Sequence, residues 1–199
     1  MTSTKKSIFI FFILAYLIIG LIYSLNTGIS HDEFHEQQNW EYNVAIVKNF
    51  FFNEELDLAF QNFEDKYYGI GFHLVSQPVQ FLLSDIILSY QDIDSQGAHL
   101  VSKHAVTFLF FLASGVFVYL IFISIINNKF FAAISTSLYL LYPYLLGHSF
   151  FNPKDIPFLS IWVICSYVSL NIFDKLLEGK NLTYLNILLL SFFTGYLLS

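Results

Sequence analysis

A chain of 199 residues that is 56% hydrophobic, 20% aromatic and only 12% charged, with mean hydropathy +0.60, falls well short of the about 25% charge of a water-soluble domain. It reads as a membrane protein. Its net charge is −6, it holds no arginine and no basic tract, and these features exclude nucleic acid as a partner. The single cysteine, Cys165, lies in an apolar run and rules out an internal disulfide framework.

The first apolar run, Ile8 to Leu25, exceeds the roughly 7–15 residues of a signal-peptide core and leads into Asn26-Thr27-Gly28. It is predicted to be an uncleaved transmembrane helix, with Lys5 and Lys6 on the cytoplasmic side. Residues 26–103 read as an outer or luminal segment. Within it WEYNVAIVKNFF and LDLAFQNF look like short amphipathic helices lying on the membrane. Phe72 to Tyr90 carries His73, Gln77, Pro78, Gln80 and Asp85; a charge at mid-bilayer costs about 2.5–3.5 kcal/mol, so this stretch is placed in the interface or as a re-entrant piece.

Further spanning helices are predicted over His104 to Ile126, Phe130 to Leu146 and Ile156 to Phe173, with another starting near Leu182. They are separated by Asn127-Asn128-Lys129, by a polar break from Gly147 to Asp155, and by a turn from Asp174 to Asn181. Pro157 falls in a first helical turn, where its missing N–H is harmless. The predicted fold is all-α: a polytopic transmembrane bundle of about five spans in one domain over residues 1–199, with interfacial helices in the first outer loop. An apolar helix running to the last residues gives the expectation of an N-terminal portion of a longer chain. With Phe72 to Tyr90 in the interface, Lys129, Lys175 and Lys180 join the N-terminal lysines, and Asp32 and Asp155 share the outer face.

Three constellations carry chemistry. Asp32-Glu33 emerges just past the first helix, where a carboxylate can take a proton from a hydroxyl, hold a metal or orient an amine. His31 and His35 share a helical face and could bind a divalent metal, although Asp32 stands where a zinc protease needs glutamate. No other cofactor is indicated. Lys154-Asp155 sits between Pro153 and Pro157 in a stiff turn, its ammonium a point charge for a phosphate. His73, His148 and Asn152 are secondary binding candidates. Taken alone, each site also fits a plain polar loop at a membrane edge.

The order of these pieces resembles the membrane-embedded GT-C glycosyltransferases, notably the protein O-mannosyltransferases and the lipid A aminoarabinose transferases. An Asp-Glu pair after the first helix is matched by Asp32-Glu33, an HPP-like stretch loosely by His73 and Pro78, and an acid opening the fourth helix by Asp155. The doubled proline is absent, and lysines stand where family members use arginine near the donor phosphate. The resemblance implies a multi-pass enzyme of a bacterial inner membrane or endoplasmic reticulum. Its donor is a polyprenyl- or dolichyl-phosphate-linked sugar, and its acceptor a protein, lipid or glycan. It implies an inverting displacement with Asp32 as general base, Glu33 in support, and Asp155 and Lys154 placing the donor, so that Asp32→Asn nearly abolishes turnover. A transporter and a non-catalytic membrane subunit are the alternatives; a transporter would bury charge at helix centres.

Overall fold

The computed structural model describes residues 3–52 and 69–198, with side chains from residue 11 onward. The described residues form helices α1 (Ser3–Leu25), α2 (His31–Phe52), α3 (Gly71–Tyr90), α4 (Ser95–Ile126), α5 (Lys129–Leu140), α6 (Pro143–His148), α7 (Asp155–Leu177) and α8 (Tyr184–Leu198), with no strand among them. Two of these, α4 and α7, are long and apolar enough to cross a membrane; Phe11–Leu25 and Tyr184–Leu198 are apolar but shorter. LDLAFQNF lies outside the described residues, as do the side chains of Lys5 and Lys6.

Helix α4 is the centre of the molecule: α1, α3, α5 and α7 pack on it, and α7 pairs with α8. It begins nine residues before the expected start at His104, because Asp94 caps it and accepts a bond from the Gly97 N–H at 2.7 Å. It ends at Asn127, whose left-handed conformation (φ 52°) closes the helix. Asn128 then accepts from the N–H groups of Phe130 and Phe131 and opens α5. The expected helix from Phe130 to Leu146 is broken. Pro143 offers no N–H and pushes Tyr142 into an extended conformation (ψ 117°), so α5 stops at Leu140 and α6 restarts at the proline. The Tyr16 hydroxyl of α1 donates to the Leu140 carbonyl at 2.9 Å, satisfying a group at the end of α5.

Helix α1 runs antiparallel to α4. Ser24 meets His104, and Gly20 lies directly under the Phe108 ring. A Cβ at Gly20 would stand 1.9 Å from Phe108 Cζ, and Phe108 is itself fully buried between Tyr16 and Phe150. Gly20→Ala is therefore expected to cost about 1–3 kcal/mol by overpacking, read as a lower thermal midpoint in detergent. An unchanged midpoint would mean that α1 docks elsewhere.

The stretch Phe72 to Tyr90 forms one continuous helix, α3, which continues through Pro78. Both of its ends touch the same end of the α1–α4 pair. His73 meets Lys103, while the Gln91 side chain after the last turn donates to the Leu25 carbonyl at 2.7 Å. Between them Ile87 packs with Ala98, Val101, Leu25 and Ile29, and the Gln80 amide donates to the His99 carbonyl. Asp85, the charge that argues against a span, is exposed. The expected outer segment 26–103 thus holds α2, α3 and the first turns of α4. The part of α2 expected as a short helix from Trp40 belongs to a longer one that starts at His31.

Candidate active site

Glu33 reaches back to the entry of α2 and supplies one half of a capping box. Glu33 Oε1 accepts the Ser30 N–H at 2.6 Å, filling an orphan donor of the first turn. Its other oxygen lies 2.7 Å from His104 Nε2, with both side chains fully buried. His104 Nδ1 faces the Ser24 carbonyl at 3.0 Å, which can only accept. Nδ1 therefore carries a proton, and a second proton bridges Nε2 and Glu33. Through His104, one carboxylate ties the start of α2 to α4 and to the end of α1.

The adjacent residues Asp32 and Glu33 do not act as a pair. Successive side chains on a helix diverge by about 100°; Glu33 turns inward and Asp32 is exposed to solvent. His31 and His35 approach to 3.4 Å through their Nε2 atoms with edge-to-face rings. Among the described residues no group of three or more potential ligands gathers around a metal position.

One turn along from Glu33 the same helix presents Glu36 and Gln37, and a turn further Trp40. Glu36 lines a cavity of about 310 Å³ together with His73 of α3, Lys154 and Asp155 at the start of α7, and walls that include Phe72, Pro157, Phe158, Ile161 and Tyr196. The first outer segment and the NPKD turn therefore share one chamber, but the acid that α2 contributes is Glu36. Lys154 Nζ lies 3.6 Å from Glu36 Oε1, and His73 Nε2 lies 3.8 Å from Glu36 Oε2. The His73 ring stacks on Trp40 at 5.8 Å with an interplanar angle of 12°.

Asn152 organises the turn. Its Oδ1 accepts the N–H groups of Lys154 and Asp155 at 3.1 and 2.9 Å, and its Nδ2 donates to Asp155 Oδ2 at 3.0 Å, fixing that carboxylate on the cavity wall. Nδ2 also donates to His148 Nδ1 at 3.0 Å. His148 packs between Tyr144 and Phe151 and supports the turn from behind, outside the cavity lining.

Burial pushes the Glu36 carboxyl up, but the approach of His73 and the Lys154 ammonium outweigh it and hold the group below its ordinary value of 4.5. Burial also drives His73 below its ordinary 6.5, against the opposing pull of Glu36. Both groups bind fewer protons folded than unfolded, so both contribute stability above their unfolded values that is lost on acidification. Thermal stability is expected to fall as pH drops through about 6.5 and further below 4.5. Glu36→Gln should flatten the lower limb. An identical profile in that variant would mean the carboxylate is not held as described.

Sequence reading did not single out Glu36, Gln37, Lys103 or His104. A signal was present: Glu33, Glu36, Gln37 and Trp40 recur at helical spacing, and Asp94 four residues before Ala98 marks an earlier start for α4. The chain matches no family model, no curated protein and no solved structure.

Proposed function

We propose that this chain is a multi-pass membrane glycosyltransferase of GT-C type. It would move a sugar from a polyprenyl- or dolichyl-phosphate to a protein, lipid or glycan acceptor at the outer or luminal face. The observation that carries this reading is the shared cavity, where two carboxylates, Glu36 and Asp155, meet the Lys154 ammonium in a chamber walled by apolar side chains. A chamber of about 310 Å³ lies at the lower end of the range for small-molecule sites.

The membrane setting is supported by large apolar side chains left open on the outer faces, including Phe11, Phe12, Phe130, Leu138, Trp162 and Phe192. In this setting α1, α4, α7 and α8 cross the bilayer and α5 enters it. Helix α4 is about 48 Å long, more than the about 30 Å of hydrocarbon, so its first turns project out and carry α3 across the outer end. Lys129, Lys175 and Lys180 fall at the opposite end, on the side of the N-terminus.

In the displacement, an acceptor oxygen forms a bond to the anomeric carbon as the bond from that carbon to the phosphate oxygen breaks. The acceptor proton passes to Glu36, and the polyprenyl phosphate leaves against Lys154, which is half exposed. Asp155, held by Asn152, orients a sugar hydroxyl. Asp32, at the exposed edge of α2, takes a rim position instead of the base assigned to it by resemblance.

The transporter reading gains support from buried Lys103, His104 and Glu33. These groups lie level with Ser24 at the end of α1, however, and residues 105–126 of α4 carry no charge. The test is reconstitution in vesicles holding polyprenyl-phosphate-linked hexoses and pentoses. Release of free polyprenyl phosphate with appearance of a glycosylated acceptor supports transfer; flux of sugar or ions without bond cleavage would support transport and defeat the proposal.

A further inference from the structure

Lys103 makes no contact with the cavity, yet it is fully buried in the wall behind it. A long cationic side chain rarely occupies such a place without partners. Its Nζ lies 3.3 Å from Gln37 Oε1 and 3.4 Å from His73 Nδ1. His73 is also buried, and the face of its ring is covered by Trp40. An ammonium group has three protons and no lone pair, so a bond between it and His73 can form only if Nδ1 accepts. The single ring proton then sits on Nε2, the nitrogen that faces Glu36 at 3.8 Å.

We propose that Lys103 is a positioning residue that locks His73 in its Nε2–H tautomer, so that this N–H steers the Glu36 carboxylate toward the cavity. The chain of contacts runs Lys103, His73, Glu36, Lys154, through α4, α3, α2 and the α7 turn in order. A cation at each end fixes the direction of every link. Gln37 completes the support by accepting from the same ammonium while its Nε2 donates to Glu41 at 3.2 Å. The role assigned to Glu36 rests on the transferase reading; the tautomer does not.

Nitrogen NMR of the full chain in lipid nanodiscs, with ¹⁵N-histidine, tests this. The His73 resonances are identified by their loss in His73→Asn. In the wild type at pH 7, His73 is expected to show a protonated Nε2 and an accepting Nδ1. Lys103→Met should release the bias and give both tautomers in comparable amounts, whereas Lys103→Arg, which again offers only donors, should keep Nε2–H. A wild-type ring protonated at Nδ1 overturns the proposal whether or not either Lys103 variant folds. So does a Lys103→Met protein that keeps the wild-type tautomer. In the transfer assay, Lys103→Met should lower kcat at least tenfold with little change in KM for the lipid donor, and Lys103→Arg should recover most of it. If the tautomer responds as described but no sugar is transferred by any form, the transferase reading fails while the positioning role stands.

Discussion

Replacing Glu36 by glutamine is expected to reduce sugar transfer about 10²–10⁴-fold, the usual worth of a general base, while leaving the chain folded. The side chain keeps its shape and one acceptor oxygen, enough for either Lys154, at 3.6 Å from Oε1, or His73, at 3.8 Å from Oε2. What it loses is the ability to take a proton. Asp32→Asn, by contrast, is expected to change turnover less than tenfold, because Asp32 is exposed and does not line the chamber. Initial rates of polyprenyl phosphate release, with a thermal midpoint recorded for each variant, separate the two. Should Asp32→Asn collapse the rate and Glu36→Gln spare it, the base belongs to the rim and the chamber has been misassigned.

The second large effect falls on stability. His104→Leu strands the Glu33 carboxylate in a fully buried position and removes the donor held to Ser24. Breaking a buried pair on one side typically costs about 3–5 kcal/mol. Removing both partners is a different matter: Glu33→Leu with His104→Leu leaves no stranded charge, although it opens the capping box at Ser30, a loss of about 1 kcal/mol. The double variant is therefore expected to be more stable than His104→Leu alone, by chemical denaturation in mixed micelles. Strictly additive losses would show that the two side chains do not depend on each other.

Much of the helical framework was legible in the chain, because apolar runs and Asn, Gly and Pro punctuation report local geometry directly. The turn at Asn127 and Asn128 and the start of α7 at Asp155 fall where the residues place them. The errors have local causes as well. Pro143 outweighed an apolar pattern that ran on to Leu146, and the polar face of Ser95 to Lys103 concealed that those residues continue α4. The site was harder to read. Asp32 and Glu33 are adjacent in sequence, and adjacency on a helix separates side chains. Lys103 and His73 lie 30 positions apart, and only the crossing of α3 over α4 brings them together.

The early stop of α5 bears on the lipid around it. Twelve residues of helix reach about 18 Å, against a hydrocarbon layer of about 30 Å, and α1 continues from Tyr16 to Leu25 for roughly 13 Å beyond the point where α5 ends. If the chain crosses a bilayer as proposed, the lipid on this flank would thin locally, a modest cost for each ångström of mismatch. Head groups would settle nearer mid-plane beside exposed Tyr142 and Tyr144, two rings suited to the water–lipid boundary.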